Sequence, residues 1–253
     1  MNKNWKSSIT TSVDGKPHLY GYDLTQMAGN YSFSDTIYLA LTGNLPDQPS
    51  SKMFESILTI AIDHGIETPS AVAARIVYSG GNSVNTAVAA GVMALGEWHG
   101  GAIEKSMEII SKAAADNTDA SDLVNNFKAK GERVAGFGHR LYDVDPRTQR
   151  LLEIAHELGF KGKYVAKALE IEAALSSESK ALPLNIDGII AALLLEMGLD
   201  QKVGKGVFII ARTPGLVAHV VEEAIKEKPF RRLSEEEVEY DGPRPRELPK
   251  NKN

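Results

Sequence analysis

Three polar residues occupy positions that helical propensity does not explain. His99 precedes a pair of glycines, His139 follows Gly136-Phe137-Gly138, and Asp187 stands at the front of an apolar run. Histidine and carboxylate side chains are the groups that most often move protons in enzymes. Each residue also has a structural interpretation, because a histidine can cap a helix end and an aspartate near a helix N-terminus interacts favourably with the helix dipole. Taken alone, none of the three decides between the two interpretations.

Metal and nucleotide sites are alternative interpretations of the same region. Two histidines and an aspartate can bind zinc or iron, but these three lie far apart in sequence, and no His-Glu-x-x-His motif occurs. The accompanying arginines would also repel a cation. Gly136-Phe137-Gly138 is only a fragment of a dinucleotide-binding fingerprint, and Gly204-Lys205-Gly206 lacks the rest of a phosphate loop. The sequence therefore predicts no metal site and no Rossmann-type cofactor.

Arginines form the second group of candidates. Arg212 interrupts an apolar helical stretch, and Arg147 falls in the first turn of a predicted helix. Arg246 lies in a charged, proline-rich tail. Exposed arginines on a solvated surface are the ordinary explanation, but burial of Arg147 or Arg212 would require an anionic partner. A dicarboxylate would satisfy this requirement, since guanidinium groups bind carboxylates through paired hydrogen bonds.

The motifs match one family in type and in order. They are Trp98-His99-Gly100-Gly101-Ala102, Gly136-Phe137-Gly138-His139-Arg140 with Asp145-Pro146-Arg147, Asn185-Ile186-Asp187-Gly188, Arg212, and Tyr240-Asp241-Gly242 with Arg246. Over about Ser50 to Leu248 the chain resembles citrate synthases. Its compact start resembles the short citryl-CoA lyase-like members, which include the C-terminal module of ATP-citrate lyase.

The resemblance implies an enzyme that makes or breaks the carbon–carbon bond between acetyl-CoA and oxaloacetate. It implies that Asp187 is the base, that His99 donates a hydrogen bond to the enolate oxygen, and that His139 polarises or protonates the oxaloacetate carbonyl. No tightly bound cofactor is implied, because the coenzyme A thioester (acetyl-CoA or citryl-CoA) is a substrate.

Binding residues are implied in the same way. The substrate carboxylates would be held by His64, Arg147, Arg212 and Arg246, the last coming from the partner subunit of a homodimer or higher homo-oligomer. Gly136, Phe137 and Gly138 would contact the coenzyme A moiety. One departure lies between His139 and Arg147, where the chain is one residue shorter than usual and carries Asp143 near a position that is often basic. The means of holding the coenzyme A phosphates is left open.

The elements that must position these residues are mostly helical. Alternating residues around Asp14-Gly15 predict a short N-terminal β-hairpin, and helical periodicity follows it. We expect an all-α, citrate synthase-like fold of two domains. Residues 1–101 and 199–253 would form a discontinuous large domain, and residues 102–198 a small domain that closes over the active site.

Local signals predict individual helix boundaries. Ser34 or Asp35 is the expected N-cap of a helix that ends at Gly43, and His64 is expected at a helix end. Asp145 is the expected N-cap before Pro146. The helix that follows Ser83 is small and apolar, which predicts burial. Arg212-Thr213-Pro214 predicts a kink or break in the last long helix.

Composition limits the classes of partner. The chain has 253 residues, 43% of them hydrophobic and 7% aromatic, and a formal net charge of -5. The acidic balance argues against nucleic acid and anionic membranes as partners. The absence of cysteine excludes disulfides and thiolate metal sites and fits a reducing compartment. With no signal-like or membrane-spanning apolar run, the expected location is the cytoplasm.

Three alternatives remain open at the level of sequence. The short start favours citryl-CoA lyase, whereas His99 favours synthase-like chemistry, because ATP-citrate lyase modules tend to lack a histidine there. A longer acyl-CoA, as in 2-methylcitrate synthase, is compatible with the same motifs. The third alternative is a helical binding or regulatory subunit that has lost the chemistry.

Overall fold

The computed structural model describes residues 5–138, 145–176 and 182–248, so His139 lies outside the described residues. A three-stranded antiparallel sheet in the order β1-β2-β3 precedes eleven α-helices in these parts of the chain. The strands are β1 (Thr10–Val13), β2 (Lys16–Leu19) and β3 (Tyr22–Asp23). The helices are α1 (Leu24–Met27), α2 (Phe33–Thr42), α3 (Gln48–Ile60), α4 (Pro69–Ser79), α5 (Val84–Met93), α6 (Ala102–Ala115), α7 (Ala120–Ala129), α8 (Pro146–Leu158), α9 (Lys163–Ser176), α10 (Ile186–Glu196) and α11 (Gly204–Lys226). The predicted all-α class and the N-terminal hairpin are confirmed.

The hairpin turn forms where the sequence places it. Asp14 and Gly15 have φ angles of 51° and 77°, the conformation that a two-residue type I′ turn requires. Val13 pairs with Lys16 across the turn, and Thr10 pairs with Leu19 at the open end. The local chemistry of the turn residues is thus sufficient to set the register of this pair of strands.

Helix starts follow the capping rules, with one correction. Ser32, not Ser34 or Asp35, is the N-cap of α2: its hydroxyl accepts from the Asp35 N–H at 3.0 Å, and the Asp35 carboxylate accepts from the Ser32 N–H at 3.0 Å. Asp35 is therefore the third residue of the helix (N3), and it forms a capping box with Ser32. Gly43 closes the helix at φ 77°, as predicted.

Two expectations about helix boundaries are corrected. Of the kink or break expected at Arg212-Thr213-Pro214, the break does not occur, because α11 continues through Pro214, and the kink stays a prediction. The Thr213 hydroxyl donates to the Ile209 carbonyl at 2.7 Å, one of the local bonds that stabilise the turn before the proline. Furthermore, α3 ends at Ile60, so His64 lies in the turn beyond the helix and not at its last residue.

The expected burial of α5 is also wrong for a single chain, in which only Ala87 and Gly91 of this helix are buried. Neighbouring helices α4 and α11 likewise expose large apolar side chains. We call these exposed residues of α4, α5 and α11 the apolar face: Val72, Ile76, Val84, Met93, Val217, Val221 and Ile225. An apolar face of this extent is typical of a surface that another molecule covers.

The main core is continuous across the helices that surround α10, which is buried along almost its whole length. Helices α6, α8 and α9 pack on α10, whereas α4, α5 and α11 pack on one another. Contacts of α3 with α8 and of α11 with α6 join the two groups. The grouping resembles the predicted large and small domains, but the division at residues 102 and 198 stays a prediction.

Buried ion pairs anchor the chain beyond α11. Arg75 donates from Nε to Glu223 at 2.7 Å, and both side chains are almost fully buried. Arg231 donates from Nε to the same carboxylate at 2.9 Å, and its backbone N–H donates to Ser79 at 3.2 Å. Removing one partner of such a cluster leaves a buried charge uncompensated. The exposed segment 232–248, which carries Arg246, therefore starts from a fixed point.

The first turn of α10 lies against the backbone of the segment that precedes His139. A Cβ atom added to Gly188 would collide with the Gly136 carbonyl, and one added to Gly136 would collide with Gly188 and with the Ser106 hydroxyl. Gly136 also has a φ of +89°, which side-chain-bearing residues rarely adopt. These two glycines set the separation between the segment and the helix that carries Asp187.

This contact predicts opposite effects for two helical glycines. Gly188→Ala should lower the free energy of unfolding by about 1–3 kcal/mol, because the methyl group overpacks a rigid backbone contact. Gly206→Ala in α11 meets open space and should raise it by up to about 1 kcal/mol, since alanine is the better helix former. Urea denaturation followed by circular dichroism measures both. Equal stabilities for the two variants would contradict the close contact.

Candidate active site

His64 and Arg147 are brought together from opposite sides of the site. Arg147 follows Asp145 and Pro146 at the start of α8, where Asp145 is the predicted N-cap and accepts from the Arg147 N–H at 3.0 Å. The Arg147 guanidinium binds the same carboxylate through Nε at 3.0 Å and Nη2 at 2.8 Å. Its Nη1 donates to Nδ1 of His64 at 3.0 Å. Arg147 is therefore held by a buried carboxylate, with one edge turned toward His64.

His99 is fixed by a residue that sequence reasoning missed. Its Nε2 lies 2.8 Å from the hydroxyl of Ser70, which is fully buried in the first turn of α4. The Gly100 φ of +85° brings the backbone against the Phe208 ring, where a Cβ atom would collide. Burial lowers the pKa of His99, and electrostatic interactions with Arg212 and His64 lower it further. The imidazole is therefore neutral near pH 7 and has one N–H to donate.

Asp187 has a carboxyl group suited to proton transfer near neutral pH. It is half-buried in the first turn of α10, where the Asn185 side chain caps its backbone N–H at 3.0 Å. Burial raises the pKa of Asp187 to about 6, although the charges of Arg147 and Arg212 act in the lowering direction. A carboxylate with a raised pKa is a stronger base than an exposed one.

Arg212 is the cation at the base of the site and is 3% exposed. Its Nε donates to the Ala61 carbonyl at 3.1 Å, and its guanidinium lies 4.8 Å from the centre of the Phe208 ring. Among the described residues, no carboxylate lies within 4 Å of this guanidinium. Burial lowers the pKa of Arg212, while the charges of Asp63 and Asp187 raise it. The structure thus brings an arginine into the interior, where none of the described carboxylates is its direct partner.

The charges on these residues act on one another, which indicates a single site. Arg147 and Arg212 influence Asp187, Arg212 and His64 influence His99, and Arg147 influences Arg212. Five of the predicted residues therefore meet: His64, His99, Arg147, Asp187 and Arg212. Segments remote in sequence supply them, namely the turns after α3 and α5 and the helices α8, α10 and α11.

The Gly136-Phe137-Gly138 segment lies against the same end of α10. The Gly138 N–H donates to the Pro183 carbonyl at 2.7 Å, and the Asn185 N–H donates to the Gly136 carbonyl at 3.0 Å. Phe137 and Leu184 form an isolated antiparallel bridge between these bonds. The segment is thus next to Asp187, and its contact with coenzyme A stays a prediction.

The structure does not test the roles of two predicted site residues. His139 lies outside the described residues, and its role stays a prediction. Arg246 is exposed on the C-terminal segment, so its predicted action in a partner's site is likewise untested.

Sequence reasoning missed several residues that hold the site. Besides Ser70, these are Asn185 and the pair of Asp63 with His219, whose atoms Oδ1 and Nε2 are 3.0 Å apart. The sequence predicts Asp145 as a helix cap, but not as the carboxylate that holds the Arg147 guanidinium. Asp63 and His219 border an open cavity of about 420 Å³. The position of Asp63 directly before His64 was the available signal, but its partner lies in α11, beyond the reach of any local pattern. Within the described residues, no cluster of three His, Asp or Glu side chains could hold a metal ion.

The length and apolar character of the helices bear on whether any of them could cross a membrane. No helix in the described parts of the chain combines the length and the apolar character that crossing a bilayer requires.

The arrangement of helices is that of citrate synthase-like proteins. The structure matches that of citryl-CoA lyase from Hydrogenobacter thermophilus with a TM-score of 0.94 and 48% sequence identity, covering 98% of each chain. The family model for the citrate synthase C-terminal domain matches residues 47–233. The chain belongs to the citrate synthase family.

Curated relatives agree with this assignment. Citrate synthase from Haloferax volcanii is 31% identical over 188 residues, which cover 72% of this chain and 49% of that protein. The probable ATP-citrate synthase of Dictyostelium discoideum is 28% identical over 227 residues, which cover 83% of this chain and 36% of that protein. The chain thus spans about a third to a half of the length of these two relatives.

The raised pKa of Asp187 makes a prediction about stability. A carboxyl group whose pKa rises from 3.8 to about 6 on folding costs about 3 kcal/mol once it is ionised. The cost is absent below the unfolded pKa, grows between about pH 4 and 6, and is complete above the folded pKa. Asp187→Asn should therefore be more stable than wild type at pH 8, and the difference should vanish near pH 4.

Denaturation at a series of pH values measures this difference, and Glu222→Gln is a control of opposite sign. Hydrogen bonds from Lys226 and Arg75 lower the pKa of Glu222 to about 2. Folding thus favours the ionised form of that carboxylate, so Glu222→Gln should be less stable than wild type, with a deficit that is nearly constant above about pH 4.5 and is lost between about pH 4.5 and 2. An Asp187→Asn variant whose advantage does not change with pH would contradict the raised pKa.

Proposed function

We propose that this protein is a citryl-CoA lyase-type enzyme of the citrate synthase family, which breaks or makes the carbon–carbon bond between acetyl-CoA and oxaloacetate. The observation that carries the proposal is the burial of Arg212, which has no carboxylate within 4 Å among the described residues and whose charge acts on Asp187, where burial raises the pKa of the carboxyl group. A buried charge of this kind is costly unless a ligand neutralises it. A substrate with several carboxylates supplies the missing charge.

The reaction balances without an added co-reactant. In the cleavage direction, the tertiary hydroxyl of citryl-CoA gives its proton to His139, the residue assigned to this oxygen, and the adjacent carbon–carbon bond breaks. Its electrons become the enolate of acetyl-CoA, and the hydroxyl carbon becomes the ketone of oxaloacetate. Asp187 in its protonated form then gives a proton to the enolate carbon. In the condensation direction the ionised Asp187 removes the same proton, and the assigned role of His139 is at the oxaloacetate oxygen.

His99 is suited to stabilise the enolate oxygen. Its lowered pKa keeps the ring neutral, so only one of the two nitrogens carries a proton. If the Ser70 hydroxyl donates to Nε2, which it approaches at 2.8 Å, the proton lies on Nδ1 and can be donated to the substrate. A neutral donor fixed in advance stabilises a developing oxyanion without reorganisation of water.

Arg147 and His64 are suited to bind a substrate carboxylate. Two of the guanidinium nitrogens of Arg147 are already engaged by Asp145, so this arginine is rigid and does not have to be ordered when substrate binds. Arg212 offers a second positive group from another helix. Two fixed cations on different elements select an anion by the spacing of its carboxylates.

Similarity to known proteins supports the cleavage direction. The Hydrogenobacter thermophilus relative is a citryl-CoA lyase, and it matches this chain over nearly its whole length. Coenzyme A enters as part of the substrate, and the proposal requires no resident cofactor. Relatives named citrate/2-methylcitrate synthase leave a longer acyl chain as the second candidate, which product analysis distinguishes.

The proposal is tested by the fate of citryl-CoA. Purified wild-type protein should convert it to acetyl-CoA and oxaloacetate, followed by chromatography of the coenzyme A thioesters. Asp187→Asn should be slower by at least about 10²-fold, because an amide cannot transfer the proton. Asp47→Asn, which replaces an exposed N-cap at α3 by an equivalent cap, should retain wild-type activity.

Other products would redirect the assignment. Hydrolysis to free citrate and coenzyme A would favour a synthase, and condensation of propionyl-CoA would favour a 2-methylcitrate synthase. A folded protein with none of these activities would indicate a regulatory subunit. Asp187→Asn with more than about a tenth of wild-type turnover would exclude that residue as the base, since loss of a general base costs far more.

We also propose that the protein is a homodimer. The apolar face on α4, α5 and α11 exposes large apolar side chains to water, which is unfavourable, and a second copy of the chain would cover them. The segment that carries Arg246 starts at the buried cluster of Arg231, Glu223 and Arg75, close to that face on the same two helices α4 and α11. From there it could reach the partner's site.

Light scattering should give a mass of twice 27.4 kDa at micromolar concentration. Ile76→Asp, in the centre of α4 on the apolar face, should shift the protein to monomers because it would bury an unpaired charge. Phe33→Asp, at an exposed position on α2, is the matched control and should leave the dimer intact. A fully active wild-type monomer would refute the proposal.

A mixing experiment tests the action of Arg246 across the interface. Arg246→Ala and Asp187→Ala are each expected to be inactive as homodimers. Hybrid dimers would contain one site that lacks both groups and one that lacks neither, so they should recover part of the wild-type activity. Verified hybrids without activity would contradict the assignment of Arg246 to the partner's site.

A further inference from the structure

The side chain of Asn185 joins two parts of the active site that are distant in sequence. Its Oδ1 accepts from the N–H of Asp187 at 3.0 Å and from the N–H of Gly188 at 3.1 Å, which caps α10. Its Nδ2 donates to the Gly138 carbonyl at 2.9 Å. One amide group thus contacts the helix turn that carries Asp187 and the last residue before His139.

The orientation of this amide follows from its partners. The two backbone N–H groups of α10 can only donate, so they require the oxygen, and the Gly138 carbonyl can only accept, so it requires the nitrogen. A flipped amide would lose all three hydrogen bonds. Serine and aspartate are equally good helix N-caps, but neither supplies a donor at the position of Nδ2. Only the bond to Gly138 distinguishes asparagine from these other caps.

We propose that Asn185 is a positioning residue of the reaction, which holds the Gly136-Phe137-Gly138 segment in register with Asp187. The inference rests on the proposed function, in which Asp187 and the residue that follows this segment act on the two products of cleavage. Proton transfer and bond cleavage both require reacting groups within a few tenths of an ångström of their working positions. The hydrogen bond from Asn185 Nδ2 to the Gly138 carbonyl, which we call the tie, holds the segment to the start of α10. The backbone contact of Gly136 with Gly188 prevents a closer approach.

The segment is also held by backbone hydrogen bonds, from which the side-chain bond of Asn185 must be distinguished. The Gly138 N–H donates to the Pro183 carbonyl and the Asn185 N–H donates to the Gly136 carbonyl, so the segment is already paired with residues 183–185. Among the described residues, the Nδ2 bond is the side-chain hydrogen bond that connects the segment with the cap of α10. Without it, the Gly138 carbonyl is released from the helix start, and the neighbouring bond from the Gly138 N–H to Pro183 should open more often.

Asn185→Ser and Asn185→Asp separate the tie from the cap. Both keep an oxygen to cap α10, and both lose the donor to Gly138; aspartate also places an acceptor against the carbonyl. We expect the kcat for citryl-CoA cleavage to fall by about tenfold to a hundredfold, as misplaced reacting groups do, while KM changes little because Arg147 and Arg212 are unaltered. Melting temperatures should remain close to that of wild type.

Asp119→Ser is the matched control. Asp119 caps α7 through the N–H groups of Ser121 and Asp122 at 2.8 and 3.2 Å, away from the site, and its replacement by serine is the same kind of change. It should leave kcat, KM and the melting temperature unchanged. Amide hydrogen exchange gives a readout that does not depend on activity: the N–H of Gly138 should exchange faster in Asn185→Ser than in wild type or Asp119→Ser.

The outcomes separate this inference from the proposed function. Faster exchange at Gly138 with a lower kcat supports the positioning role. Unchanged exchange, or faster exchange with wild-type kcat, overturns it even though the enzyme is a citryl-CoA lyase. A wild-type protein that does not cleave citryl-CoA at all overturns the proposed function, and the role of Asn185 in that reaction with it.

Discussion

The burial of Arg212 is the constraint on which the rest of the site depends. A guanidinium inside a helical core is tolerated only because a carbonyl, an aromatic ring and the more distant charges of Asp63 and Asp187 surround it. The same positive charge helps to keep His99 neutral and opposes the rise in the pKa of Asp187. Burial has the larger effect on both groups, while this one cation favours the neutral imidazole of His99 and the ionised carboxylate of Asp187.

Rigidity is distributed unevenly around this cation. Arg147 is fixed by two bonds to Asp145, and His99 by Ser70 and by the turn at Gly100. By contrast, the segment before His139 is joined to α10 by a few hydrogen bonds and a glycine contact. Arg147 and His99 are thus held by buried side chains, whereas the segment before His139 is held mainly through its backbone.

The surface of the chain is as informative as its interior. Helices α4 and α11 bury one side against each other and expose the other side of the same helices, which forms the apolar face. Their contact also carries the Arg75-Glu223-Arg231 cluster, from which the C-terminal segment departs. The apolar face and the candidate site therefore share helix α11, which also carries Arg212.

The sequence by itself determined the helical class, the hairpin turn at Asp14-Gly15, the Asp145 cap and the identity of most candidate site residues. These follow from local chemistry, because turns, caps and motif spacing are set by neighbours along the chain. It did not determine that α5 lies exposed, that α11 continues through Pro214, or that Ser70, Asp63 and Asn185 support the site. The supporting contacts of Ser70, Asp63 and Asn185 join residues more than twenty positions apart in the chain. Only the tertiary structure decides which buried groups meet, and therefore which pKa values shift and which side chains act together.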